Sequence, residues 1–138
     1  MSKKLALTAL ALVLTTGTAM AQSTISSAPD SDYLVESYTA YIGNADLHNS
    51  RGARLSEPWQ IIRQDRANVH RFGIIDDGDT FDGFFASAGN REKLETMLRS
   101  GWIEPRAAAD IVRGGALVLV EIYGRGDTGN SIHITVAR

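Results

Sequence analysis

Apolar and polar residues alternate most regularly near the C-terminal end of the chain. In 116–123, ALVLVEIY, Val118, Val120 and Ile122 share one face, opposite Leu117, Leu119, Glu121 and Tyr123. In 131–137, SIHITVA, Ile132, Ile134 and Val136 oppose Ser131, His133 and Thr135. A period of two in β-branched sequence predicts strands, and the glycine-rich GRGDTGN between them predicts a β-hairpin. Matching the apolar faces permits a register that pairs Tyr123 with Ser131 and Glu121 with His133. A slip of two residues would keep the faces and break those pairs. A shorter alternation, with Tyr38, Ala40 and Ile42 against Thr39 and Tyr41, predicts another strand ending at Gly43, with a helical turn over 31–37 as its alternative start.

The longest helical pattern is SEPWQIIRQDRANVHRFG, residues 56–73. Ser56 is placed as N-cap, Pro58 in the first turn, and Gly73 as the stop with Arg71 in the last turn. Asn90 is placed as the cap of a second helix, REKLETMLRSG, which turns Leu94, Met97 and Leu98 inward. Pro105 opens a third, within WIEPRAAADIVRGG, which packs Trp102, Ile103, Ile111 and Val112. The turn-rich 44–55 and the acidic IIDDGDTFDG are loops. Together these elements predict an α+β domain: a small antiparallel sheet with a C-terminal β-hairpin, packed on one face by about three helices.

The N-terminus changes where this domain is expected to work. Lys3 and Lys4, an apolar run from Leu5 to Leu14, and Ala19-Met20-Ala21 follow the order of a secretory signal peptide, residues 1–21, cleaved after Ala21. The apolar run is too short to span a bilayer. The polar QSTISSAPDSD, 22–32, reads as a flexible leader, and 33–138 as a single globular domain. The expectation is a periplasmic or secreted soluble protein with no stable membrane anchor. The chain has no cysteine, so thiol catalysis, thiolate zinc sites and disulfides are all excluded. Of 14 basic residues two lie in the signal, leaving 12 against 16 acidic ones. A mildly acidic domain is not expected to bind nucleic acid. No cofactor is expected. Self-association through an open sheet edge is a possible partner mode, and other partners are unknown. Through YIGNADLHNSRGARL and RQDRANVHRFG the chain resembles small exported proteins of Gram-negative bacteria; the resemblance implies no activity.

Several short motifs do not survive their context. GRGDTG fits a dinucleotide fingerprint, but a strand follows it where a helix is required. Asp76, Asp77, Asp79 and Asp82 offer oxygen ligands, yet the calcium-loop spacing fails, since Phe81 and Ala88 fall where ligands are needed; an acidic turn is the stronger reading. His48, His70 and His133 lack metal-ligand spacing, and no metal site is expected. The G-x-S-x-G, S-x-x-K and P-loop patterns are absent.

The helix 56–73 carries the polar residues that need explaining. At about 100° per residue from Trp59, Ile61, Phe72, Val69 and Ile62 fall on one arc, and Gln60, Gln64, Ala67, Asn68 and Arg71 on the solvent side. Asp65 falls near 240°, inside the apolar arc, where an unpaired carboxylate is costly. Trp59, Arg63, Arg66 and His70 form a stripe beside it. Two readings follow. In one, Asp65 takes backbone N–H groups or Arg51 or Arg54 and pins their loop, while Arg66 pairs with an internal carboxylate or a carbonyl. In the other, Asp65, Arg66 and His70, with Arg63 and Trp59, line a site for a small anion or acid–base chemistry. The first predicts a non-catalytic binding or structural module, the second a periplasmic enzyme or small-anion binder.

Overall fold

A computed structural model describes residues 31–138; the predicted signal peptide and most of the leader, 1–30, lie outside them. The described chain is α+β. Four strands, β1 (Tyr33–Tyr41), β2 (Trp102–Ile103), β3 (Leu117–Arg125) and β4 (Thr128–Val136), form one sheet in the order β1-β3-β4-β2. Four helices, α1 (Pro58–Phe72), α2 (Ala88–Glu92), α3 (Leu94–Arg99) and α4 (Pro105–Arg113), accompany it, with short 3-10 turns at Asn44–Leu47 and Phe84–Ala86. No helix among the described residues is long and apolar enough to cross a membrane.

The hairpin register follows from its side chains. Val118, Val120, Ile122, Ile132 and Ile134 are fully buried on one face, and this holds Tyr123 opposite Ser131 and Glu121 opposite His133. Pairing continues through most of GRGDTGN, leaving Gly126 and Asp127 as the turn. β1 adds antiparallel to β3 and turns Tyr38 and Ala40 to the same inner face. It begins at Tyr33, so the helical start does not form. Asp32, read as the end of the leader, accepts hydrogen bonds from Arg125 Nε at 3.1 Å and Asn130 Nδ2 at 3.0 Å.

The β1–β3 and β3–β4 pairs are antiparallel, as expected, and the short β2 makes the sheet mixed: it runs parallel to β4, with Trp102 beside His133 and Ile103 beside Ile134. Strand alternation sends Ile103 toward the core and Trp102 to the uncovered face, so Trp102 is 51% exposed and not packed by α4 as the helical reading required. Gly101 lets this turn approach β4; a Cβ there would strike the backbone of Ile132.

On the inner face, Ile61 and Ile62 of α1, Phe84 and Phe85, Leu94 and Met97 of α3, and Ala107 and Ile111 of α4 close one core with the sheet. Glu57, not Ser56, is the N-cap of α1, and the Gln60 side chain reaches back to accept its N–H at 3.4 Å. Gly73 ends the helix in the left-handed region, φ 66°, as its position predicts. The second predicted helix is two. Ser87, rather than Asn90, caps α2, and Asn90 lies inside it, donating to the Phe84 carbonyl at 2.9 Å.

Candidate functional site

Helix α1 aims two adjacent charged residues into the protein. Asp65 is 1% exposed and Arg66 0%. Arg66 Nε donates to Asp65 Oδ2 at 2.7 Å, and Nη1 donates to Asp82 Oδ2 at 2.8 Å. The same Asp82 oxygen lies 2.9 Å from His70 Nε2, and Asp82 Oδ1 accepts the Phe85 N–H at 2.7 Å. One guanidinium therefore bridges a carboxylate of its own helix and one from the acidic segment that follows. The ring of Tyr38 lies 4.4 Å from the guanidinium carbon, a cation–π contact from the sheet side. Arg66 Nη2 and the Tyr38 hydroxyl are buried without a hydrogen-bond partner among the described residues, and Asp79 Oδ1 lies 3.9 Å from that Nη2.

Burial dominates the electrostatics. It pushes the Asp65 carboxyl up to about 7 against the pull of Arg66, with Asp46 and Asp79 adding to the rise. Burial alone would lower Arg66, but the surrounding groups, Asp65 first, outweigh it and keep the guanidinium charged. Burial also raises the Tyr38 phenol well above its ordinary value, so it stays neutral.

A second buried polar pair sits one helical turn away. Asn68 Nδ2 donates to Asp46 Oδ1 at 2.8 Å, and Asp46 Oδ2 accepts the Gly43 N–H at 2.8 Å. This contact ties the 3-10 turn 44–47 to α1, and burial raises the Asp46 carboxyl too.

The predicted stripe is split. Arg66 and His70 join Asp65 in the cluster. Trp59 and Arg63 instead line a separate shallow cleft with Asn49, Ser50 and Leu55. Arg51 and Arg54 do not reach Asp65: Arg54 donates to the carbonyls of Leu47, Leu55 and Val112, and thereby anchors its loop to α4. Asn68, placed on the solvent side by the helical period, is buried, while Phe72, placed on the apolar arc, is 57% exposed because the last turn of α1 runs past the core. Asp82, weighed only as a calcium ligand, completes the buried polar set with Asp46 and Tyr38, which were not among the candidates. A charge such as Arg66 at the edge of a buried face requires counter-charges, and the run DDGDTFD is the densest acidic stretch in the chain.

The four aspartates of that run have separate duties. Asp79 accepts the N–H groups of Tyr41 and Asp76, at 2.8 and 3.0 Å. Asp82 faces Arg66. Asp76 lies beside Gly43, and Asp77 is exposed at the turn. Among the described residues, no group of three or more His, Asp or Glu is placed to hold a metal ion.

The cluster is sealed. A surface cleft of about 640 Å³ lies over the uncovered sheet face between Trp102, Leu119 and Thr135. Neither it nor the cleft at Trp59 and Arg63 is lined by Asp65, Arg66, His70 or Asp82. On the uncovered face, His133 sits between Trp102 and Tyr123, 4.7 Å from the Tyr123 ring centre, with Glu121 across from it on β3. Compared with protein-family models, curated proteins and solved structures, the chain matches none.

Proposed function

We propose that this chain is a small exported, periplasmic or secreted, non-catalytic module. In this reading the Asp65–Arg66–Asp82–His70 cluster is a structural lock, not a binding site. One observation carries it: Arg66 is fully buried, with both of its carboxylate partners sealed from solvent. A catalytic or anion-binding arginine needs an open approach for its ligand, and Arg66, with Nε and Nη1 given to carboxylates and Nη2 buried, offers none. Contact with other molecules falls to the surface. There the uncovered sheet face presents Trp102, Tyr123 and His133 together with the hydrogen-bonding groups of Glu121, Thr39 and Thr135, a mixture suited to binding.

The test uses inorganic phosphate and acetate as probes on chain 22–138. The structural-lock reading expects no bound anion by native mass spectrometry and no thermal stabilisation at millimolar concentrations. A saturable rise in melting temperature that disappears in Asp65→Asn would restore the small-anion reading built on Asp65, Arg66 and His70.

A further inference from the structure

The segment Ile74–Gly83 leaves α1 and runs along the outer edge of β1. Thr80 N donates to the Thr39 carbonyl at 3.0 Å, and Thr39 N donates to Thr80 Oγ1 at 2.8 Å. Thr39 Oγ1 donates to the Gly78 carbonyl at 2.7 Å, and Tyr41 N donates to Asp79 Oδ1 at 2.8 Å. At the far end, Glu36 accepts the N–H groups of Gly83 and Phe84, both at 2.8 Å. The segment thus occupies hydrogen-bonding groups that an edge strand would otherwise present to other chains.

What holds the segment down is unusual for a covering loop. Its large apolar side chains point outward: Ile75 is 67% exposed and Phe81 79%. The side chains it sends inward are acidic, Asp82 at 0% exposure and Asp79 at 3%. Attachment therefore rests on charge and hydrogen bonds rather than apolar burial. The charges do not balance by themselves. Arg66 alone opposes the three carboxylates of Asp65, Asp79 and Asp82. A proton on Asp65 removes one of these negative charges from the group. Asp65 and Asp82 also share a single guanidinium through Nε and Nη1. An ionised Asp65 draws on the positive charge that holds Asp82, and in a sealed interior repulsion between the acids is weakly screened.

We propose that Ile74–Gly83 is a proton-controlled strap over the edge of β1, held down while the buried Asp65 carries its proton and loosened as Asp65 loses it. The groups that face the cluster are Asp65, Arg66 and His70 from α1; Asp76, Asp79 and Asp82 from the strap; Tyr38 and Glu36 from β1; and Asp46 from the 3-10 turn. Of these, Asp65 has its proton affinity raised by burial into the neutral range, and Asp46 and Tyr38 are raised in the same direction. Loosening frees the N–H groups of Thr39 and Tyr41 without disturbing the β3–β4 ladder, which makes no use of the strap.

Amide hydrogen exchange across pH 5.5 to 8.5, corrected for the intrinsic pH dependence of exchange, tests this on chain 22–138. The opening of Thr39, Tyr41 and Thr80, taken relative to Val120 and Ile134 in the hairpin, is expected to rise about tenfold over that range. Asp65→Asn, neutral at every pH, is expected to reduce the rise to within about twofold. Asp82→Asn removes the strap's own anchor and is expected to leave these amides open at all pH values, with the hairpin still protected. A wild-type protein whose β1 amides keep constant relative protection, or an Asp82→Asn variant as protected as wild type, overturns the proposal. A rise that persists unchanged in Asp65→Asn overturns it as well.

Discussion

Arg66 and Asp82 are 16 positions apart in sequence and meet at 2.8 Å, each completely buried. Removing Arg66 leaves Asp65 and Asp82 as buried carboxylates without their shared counter-charge. Arg66→Met is expected to cost about 3–5 kcal/mol. Asp82→Asn should be milder, because Arg66 keeps Asp65 as its counter-charge. Combining the two should cost less than the sum of their separate effects, because the second change relieves the charge that the first left unpaired. Chemical denaturation of the three variants measures this coupling; strict additivity would mean that the two residues do not act as a pair.

Asp65 predicts a particular dependence of stability on pH. Its carboxyl is raised to about 7 by burial, against about 4 in an unfolded chain. Between these values the folded state holds a proton that the unfolded state has released, so this contribution is greatest near pH 4, falls as pH rises, and is lost above about 7. The span is on the order of 2–4 kcal/mol. Asp46 acts in the same direction. The difference in unfolding free energy between wild type and Asp65→Asn isolates the effect: Asp65→Asn should gain on wild type as pH rises from 4 to 8. A difference that stays flat across this range would count against the raised carboxyl.

The inward course of Asp65 was legible from the helical period alone, because the sheet lies on that side of α1 and the period marks that side. The misplacement of Asn68 and the depth of Arg66 share one physical origin. Loops from elsewhere, the 3-10 turn 44–47 and the strap, cover the flanks of α1 and widen its buried arc beyond what the sheet alone would bury. Trp59 and Arg63 face the end of the 44–55 loop, at Asn49, Ser50 and Leu55, across an open cleft, so they stay outside the core. The hairpin register was legible because two fully buried apolar faces admit few alternatives. Strand β2 was not, since two residues carry no period of their own, and their partners, His133 and Ile134, arrive some thirty positions later.

Asn68 supplies a second test of buried polar contacts. Asn68→Ala deletes the donor to Asp46 and leaves that carboxylate with one fewer hydrogen bond in a buried place. A loss of about 1–3 kcal/mol is expected. The same variant should loosen residues 44–47 in hydrogen exchange while leaving the Arg66 cluster protected.

The two faces of β3 and β4 should differ sharply. Ile134→Ala, at a fully buried position, is expected to cost about 2–5 kcal/mol, whereas Leu117→Ala, on the uncovered face and 38% exposed, should cost about 1 kcal/mol or less. Equal losses would mean that the uncovered face is packed against something in the folded protein.

Two glycines should resist replacement for different reasons. Gly73→Ala forces an L-residue into the left-handed region at φ 66° and should cost about 1–2 kcal/mol. Gly101→Ala should cost more, about 3 kcal/mol, because its Cβ meets the backbone of Ile132, which has no rotamer by which to yield.

The pairing of β1 with β3 has a consequence for the order in which the molecule comes into being. Tyr41 waits for Leu117, and Tyr33 for Gly124, so β1 stays without β3, its neighbour in the described sheet, until nearly the whole domain is made. The central strands of the sheet are the last two in the sequence. A growing chain of this topology has no complete core to collapse onto, and closing so long a loop makes folding slow. Until β3 is made, the backbone groups of β1 that it will pair stay open to other chains, so the last residues synthesised also close off a route to aggregation.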